Sequence, residues 1–442
     1  MEIPCLERRP KAAFLRTVHL LRVRAVDTIG MFTARAFAAG LLLILLPVIG
    51  AALFAGKHIA RYARVGRRGS RIECYGLFNR GGERCGITGN LPLLWSIVTG
   101  DLDWVGPSAR NIGELDLRAE DQRRILSVPP GVVCTWWIRT RTNIAYGTQK
   151  ETDLDFVEKR SYREKVGILA RAGLAAFYGG SRGEFPMIAN ILGLPIDNLS
   201  LDQAVDQIVC PVKGPRSRQV SFLNVDCVNK AITDLEYRRV LVNSELRLAD
   251  GIGLRIGGKL LRSEIRENVN GTDLFPRLCA RMAQEGLSVY LLGGRPGVPE
   301  EVAAWIHWRY PGLRVAGHRH GYFQPTEETA ILADILQSGA DILLVGLGAP
   351  LQEKWIHRNG ERLRVRSAIG VGGLFDFYSG RIPRAPQWLR ELGLEWTYRL
   401  CQEPGRMWRR YLLGNIRFLA RVLVARTRKS FERKLETPQV SQ

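Results

Sequence analysis

The eight cysteines, at positions 5, 74, 85, 134, 210, 227, 279 and 401, include no Cys-x-x-Cys pair and no zinc-like spacing. Thiols scattered in this way exclude a secreted, disulfide-stapled scaffold and fit a reducing compartment. Acidic residues are the minority: 43 Asp and Glu stand against 64 Lys and Arg, a net charge of +21 with an isoelectric point near 10. Such an excess favours an anionic partner, whether nucleic acid, anionic lipid or a phosphorylated substrate. A basic stretch interleaved with aromatics is missing, so no nucleic-acid partner is expected. What remains is a chain of 442 residues, 46% hydrophobic, with room for two or three domains and too apolar to be a disordered tail protein.

Between Arg35 and Lys57 the run AFAAGLLLILLPVIGAALFAG carries no charge. As a helix it would reach about 31 Å, the thickness of a bilayer's hydrocarbon core, so residues 36–56 are expected to enter a membrane. A cleaved signal peptide fits less well, because no small-residue cleavage site with a polar start follows the run. Pro47 lies mid-run, where it removes a backbone hydrogen bond and kinks a helix. Both flanks are basic, with Arg16, Arg22, Arg24 and Arg35 before and Lys57, Arg61, Arg64, Arg67 and Arg68 after. A spanning helix concentrates its positive charge on one side. A re-entrant hairpin of the helix, with both ends in the cytoplasm, meets both observations, and a kinked span is the alternative. With both ends of that segment in the cytoplasm, the expected location is the inner (cytoplasmic) membrane, with the rest of the chain facing the cytoplasm and anionic lipid as a partner.

After a basic segment at 1–29, residues 30–180 carry NLPLLWSIVTGDLDWVGP from Asn90, PPGVV at 129–133 and DLDFVEKRS at 153–161. This order resembles the monotopic phosphoglycosyl transferases, bacterial sugar transferases that move a sugar phosphate from a nucleotide sugar onto polyprenyl phosphate. The resemblance implies a small α/β-type domain behind a re-entrant helix. The family's Asp-Glu pair, nucleophile and Mg²⁺ ligand, falls here on Gly89 and Asn90, and neither can form an acyl phosphate or offer an anionic metal ligand. The Arg that follows Gly-Pro in the family is Ser108. The domain therefore reads as a degenerate relative that keeps the membrane dock without the chemistry. Asp101 and Asp103 form a D-x-D of the kind found in metal-dependent sugar transferases, although as a bare triplet they read as scaffold or surface carboxylates.

A linker is expected at 181–219, where PVKGPRSRQ is polar and contains proline. From 220 to 425 the texture changes: VSFLNV (220–225), VYLLGG (289–294), DILLVGLG (341–348) and SAIGVGG (367–373) alternate with helical patterns near 227–242, 298–309, 327–337 and 351–359. These read as β-α units around a parallel sheet, a Rossmann-like α/β fold that binds ligands at the carboxyl ends of its strands. Asn224, Asp250 and Gln352 all follow apolar runs and would project from that edge. Each also has a plainer use: Asp250 as a helix N-cap, Asn224 and Gln352 as partners of strand-end backbone. Gly293, Gly294 and Arg295 open a turn into a helix beginning Val298-Pro299-Glu300-Glu301, which could bind phosphate through backbone N–H groups. Its spacing is neither a dinucleotide fingerprint nor a P-loop. His318 and His320 form an H-x-H with no further ligand set nearby and read as a loop pair, so no metal site is expected.

The segments VSFLNVDCVN, LADGIG, ENVNGTDLFP, VYLLGGRPG, GHRHGYF, ADILLVGLGAPLQEKW, IGVGGLFDFYSG, RAPQW and GLEWTYRLCQEPGRMWRRYLLGN together resemble the WecG/TagA/CpsF glycosyltransferases over about 205–425. The resemblance implies inverting, metal-independent transfer from a UDP-sugar to a polyprenyl-diphosphate-linked sugar in exopolysaccharide or cell-envelope synthesis, without a cofactor. It places Asp250 as the general base, Asn224 in the donor and acceptor pocket and Gln352 against substrate. It also assigns Arg399, Arg406 and Arg409 to a carboxy-terminal appendage that starts near 390 and closes over the site. Arg410 follows at a spacing that keeps most of these arginines on one helical face, where they could clamp a diphosphate or meet lipid headgroups. Two positions depart from some members: Phe222 replaces a Thr, and Asn268 stands in the substrate-binding segment where an Arg occurs. A tail at 426–442 is expected to be solvated and partly disordered. Two other readings stand beside the transferase: a bifunctional enzyme whose first domain still primes the lipid, and a non-catalytic membrane scaffold.

Overall fold

The structure, a computed structural model, describes residues 9–85, 88–111, 113, 119–142, 148–178, 185–212 and 216–436, with side chains from 31 to 428 except Arg406. The outermost residues of the expected basic segment and tail lie outside the described residues. The chain divides into two compact units, the first of residues 1–141 and 145–177 and the second of 178–442 together with 142–144.

The first unit begins with α1 (Arg9–Phe54), β1 (His58–Val65), β2 (Arg71–Phe78), α2 (Leu93–Thr99) and β3 (Asp103–Val105). It continues through α3 (Glu120–Ile125), β4 (Gly131–Val133), α4 (Thr135–Thr142), α5 (Gln149–Lys159) and α6 (Tyr162–Tyr178). Leucine and alanine, both strong helix formers, dominate the apolar part of α1. Ala38, Leu41, Leu42 and Leu45 recur at helical spacing and pack on Leu93, Leu94 and Ile97 of α2. The Trp104 indole donates to the Ala34 carbonyl at 3.0 Å and pins the same helix to β3. Phe37, Leu43, Ile44 and Phe54 are left exposed. Pro47 sits inside α1 without dividing it, so no loop splits the apolar run into hairpin legs.

The second unit starts earlier than the sequence suggests. β5 (Ile188–Ile191) and β6 (Leu194–Asp197) form an antiparallel hairpin, followed by α7 (Leu201–Val209). Leu192 and Gly193 both take positive φ (52° and 82°), as a tight two-residue hairpin turn requires. Ile191, Leu194 and Ile196 are fully buried with Tyr237 and Leu241, while Ala204, Val205 and Ile208 of α7 join the core on another cluster. The expected linker at 181–219 is thus largely a folded part of this unit. Its polar, short-stranded sequence hides the hairpin, whose apolar residues alternate too briefly to stand out.

Next come β7 (Arg218–Leu223), α8 (Val225–Thr233), α9 (Leu235–Asn243), β8 (Leu246–Ala249), α10 (Ile252–Leu260) and α11 (Gly271–Gln284). After these follow β9 (Ser288–Gly293), α12 (Val298–Arg309), β10 (Arg314–Arg319), α13 (Glu328–Ser338), β11 (Ile342–Gly346), α14 (Leu351–Leu363) and β12 (Ser367–Gly370). Six of the strands make one parallel sheet in the order β10-β9-β11-β12-β7-β8. Every residue of β9 is buried, because helices cover both faces of such a sheet and its strands read as unbroken apolar runs. The Rossmann-like expectation is met. The single helix expected at 227–242 is two helices, because Asp234 accepts the Tyr237 N–H at 2.9 Å and caps α9. His318 lies on edge strand β10, not in a loop; its half-exposed RVAGHR sequence has no apolar run to announce it.

The chain closes with α15 (Leu374–Tyr378), α16 (Gln387–Glu391), α17 (Glu395–Gln402), α18 (Pro404–Trp408) and α19 (Gly414–Glu436). The backbone remains helical well into the expected disordered tail. Phe418 and Val422 of α19 are buried against α8 and α10. Gly257 allows this close approach: a Cβ there would lie 2.6 Å from the Phe418 ring.

Candidate active site

The carboxyl ends of β11, β12, β7 and β8, closed over by residues of α17, the 409–413 turn and α19, surround a cavity of about 510 Å³. Asn224 ends β7 and caps α8, its side-chain oxygen accepting the Cys227 N–H at 3.1 Å. Asp250 follows β8 directly, held by its backbone N–H donating to the Leu223 carbonyl at 2.7 Å. The N-cap of α10 is Gly251, with no side-chain capping bond, so Asp250 is not a helix cap. Its carboxyl borders the cavity. Removal from water pushes it above the usual carboxylate range, against the opposing pull of the Asn224 side chain and of Arg410 and Arg399, while Asp273 adds a further upward push.

Asn268 accepts the Gly251 N–H at 2.5 Å and so shapes the turn that presents Asp250. Gln352, at the start of α14, accepts from Gly348 N at 3.1 Å and Gly372 N at 2.9 Å, tying together the turns after β11 and β12. Asn224 and Gln352 therefore hold strand-end backbone and line the cavity at the same time. Arg399 reaches in from α17, its guanidinium 5.0 Å from the Phe377 ring centroid. Arg410 also lines the cavity, within 3.4 Å of the Asp226 carboxylate.

Four of the expected substrate contacts lie elsewhere. Gly293, Gly294 and Arg295 do not line the cavity. Gly293 has φ +138°, and a Cβ there would sit 2.6 Å from backbone atoms of Gly346, so this glycine lets two neighbouring strands end close together. Arg409 does not line it either; its guanidinium lies 5.4 Å from the Trp408 ring centroid, and the next residue, Arg410, takes the inward place. The Arg406 side chain lies outside the described residues. Asn270, Thr272 and Asp273, within the ENVNGTDLFP segment, carry no individual signal in the sequence. Asn270 caps α11 by accepting the Asp273 N–H at 2.8 Å, and all three line the cavity together with Trp396, Tyr411 and Glu353.

In the first unit, Gly89 is buried in a short turn beside exposed Asn90. A Cβ at Gly89 would lie 2.8 Å from Arg84 Cγ and 3.1 Å from the Leu77 carbonyl oxygen. Asp101 accepts from Thr99 Oγ1 at 2.8 Å, and Asp103 pairs with Lys165 at 2.6 Å, so both act within the scaffold. Ser108 donates to Asp153 through its N–H (3.0 Å) and hydroxyl (3.1 Å). Burial raises the Asp153 carboxyl even with Arg110 3.4 Å away.

Residues 88–179 match the bacterial sugar transferase family. The 24 residues Met31–Phe54 are long and apolar enough to cross a membrane, and with that match they indicate membrane association. Over 193 residues the chain is 35% identical to the N-acetylglucosaminyldiphosphoundecaprenol N-acetyl-beta-D-mannosaminyltransferase of Bacillus subtilis (strain 168), covering 44% of this chain and 74% of the relative. Residues 189–432, more than half of the chain, match the glycosyl transferase WecG/TagA/CpsF family. The Rossmann-like sheet and the cavity at its carboxyl edge lie within the residues that this family model matches, and the chain belongs to the WecG/TagA/CpsF family of glycosyltransferases.

Proposed function

We propose that the second unit transfers a sugar from a UDP-sugar to a polyprenyl-diphosphate-linked sugar, with inversion and without a metal ion, using Asp250 as general base. The observation that carries this reading is the Asp250 carboxyl in the cavity, its proton affinity raised by burial, with Arg399 and Arg410 lining the same cavity. The Bacillus relative's name specifies a diphosphoundecaprenol-linked acceptor, which supports the acceptor class. In the reaction Asp250 takes the proton of the acceptor hydroxyl as that oxygen attacks the anomeric carbon on the face opposite UDP. The bond from that carbon to the UDP oxygen breaks, and the electron pair leaves on the diphosphate. Arg399 and Arg410 offer the positive charge that stabilises it. The proton on Asp250 then passes to solvent.

The first unit acts as a membrane dock without sugar-phosphate transfer. The tight surroundings of Gly89, with no carboxylate there or at Asn90, support this part of the reading. The exposed apolar face of α1 enters the bilayer, and the basic residues from Lys57 to Arg68 face anionic headgroups on the cytoplasmic side. The test offers purified full-length protein a panel of UDP-sugars with either polyprenyl phosphate or a polyprenyl-diphosphate-linked N-acetylglucosamine. Product from the diphosphate-linked acceptor alone is expected. Product from bare polyprenyl phosphate would refute the silent first unit, and no product from either acceptor would refute the transferase assignment.

A further inference from the structure

Glu353 follows Gln352 on α14, is completely buried and takes no part in the chemistry above. Its Oε1 accepts the Gln352 Nε2–H at 2.7 Å, and its main-chain carbonyl accepts from Gln219 Nε2 on β7 at 3.0 Å. The two ends of the Gln352 amide are chemically opposite, since the oxygen accepts and the nitrogen donates. An acceptor at Glu353 Oε1 takes the N–H end of the amide and leaves the Gln352 oxygen facing the Gly348 and Gly372 N–H groups. Gly348 and Gly372 have positive φ (82° and 56°) and line the cavity. A Cβ on neighbouring Gly370 would lie 2.8 Å from Gln352 Nε2, so the amide is confined on that side as well.

The arrangement is not what stability alone would select. Burial pushes the carboxyl up to about 7, against the opposing pull of the Gln352 amide, Lys230 and the Tyr237 hydroxyl. Buried Cys227 and Tyr237 lie close enough to influence it, as does Lys230. An apolar side chain of similar size would avoid the desolvation penalty.

We propose that Glu353 is a positioning residue for sugar transfer, locking the Gln352 amide so that its oxygen gathers the turns after β11 and β12 into the cavity wall. The inference rests on the cavity being the transferase site. The test compares full-length wild type with Glu353→Leu, Glu353→Met and Glu353→Gln. It reads kcat and KM for the UDP-sugar, the thermal midpoint, and hydrogen exchange at the Gly348 and Gly372 amides.

The Leu and Met variants are expected to unfold at or above the wild-type midpoint while kcat/KM falls by roughly 10- to 100-fold, the scale of a small misplacement of site groups. Their two glycine amides should exchange faster. In Glu353→Gln the new amide oxygen still accepts from Gln352, so both transfer and slow exchange should largely return. Wild-type kcat/KM in the apolar variants would overturn the proposal. So would losses that merely follow a lowered midpoint, equal losses in Gln and Leu, or failure of both apolar variants to fold. If the wild type transfers no sugar, the transferase reading fails, and the exchange comparison, which needs no turnover, still decides whether Glu353 holds Gln352.

Discussion

Replacing Gly293 with alanine separates two uses of the glycine turn after β9. The sequence suggests a phosphate cradle, whereas the structure gives Gly293 the role of a spacer between strands. At φ +138° an alanine is strained, and its Cβ would stand 2.6 Å from three backbone atoms of Gly346, which cannot rotate away. Backbone strain of this kind costs about 1–3 kcal/mol, and forcing an extra carbon into a packed site costs about as much again. For a unit of this size the sum lowers the melting temperature by roughly 5 to 20 °C. Thermal unfolding of the full-length protein in detergent, followed by circular dichroism, reads the shift. A second-unit transition that moves by no more than about a degree, with weakened UDP binding, would refute the spacer argument and restore the phosphate site.

Ile196→Ala should destabilise the second unit by about 2–5 kcal/mol in denaturant unfolding, as a core deletion does; a change within about 0.5 kcal/mol would return residues 188–209 to the status of a linker. Because the folded state raises the Glu353 carboxyl from 4.5 to about 7, it holds that proton more tightly than the unfolded chain between those values. The contribution to stability is therefore greatest below about 4.5 and declines by on the order of 3 kcal/mol as pH rises to about 7. Glu353→Gln should flatten that decline in a pH series of unfolding midpoints, and an unchanged slope would contradict the assignment. The double change Gly89→Asp, Asn90→Glu should give no sugar-phosphate transfer to polyprenyl phosphate, since position 89 lies against Arg84 and the Leu77 carbonyl; measurable transfer would show that the first unit still holds the rest of a working site.

The parallel sheet was legible because buried strands such as β9 and β11 are continuous apolar runs that end at glycine. Asp250, Asn224 and Gln352 could be located for the same reason: each follows such a strand, where backbone ends and side chains can reach a ligand. Elements with weak patterning were missed. The β5–β6 hairpin is only four residues a side, and β10 carries His, Arg and Gly on the sheet edge. Helical spacing grouped Arg399, Arg409 and Arg410 without fixing rotation across the 409–413 turn, whose π-helical winding puts Arg410 on the cavity and Arg409 beside Trp408. Glu353 gave no signal of its own, because a glutamate after glutamine on a helix looks solvated until the fold buries it.

Removal of the acceptor proton by Asp250 is the step on which the proposed transfer depends. Its most direct test is the rate of sugar transfer from the productive UDP-sugar to the diphosphate-linked acceptor by Asp250→Asn beside wild type, with UDP affinity measured on both. A fall in kcat by a factor on the order of 10² to 10⁴ is expected, with UDP affinity and thermal midpoint close to wild type. Transfer within a few-fold of wild type would mean that another group takes the proton and that the cavity's chemistry is wrongly assigned.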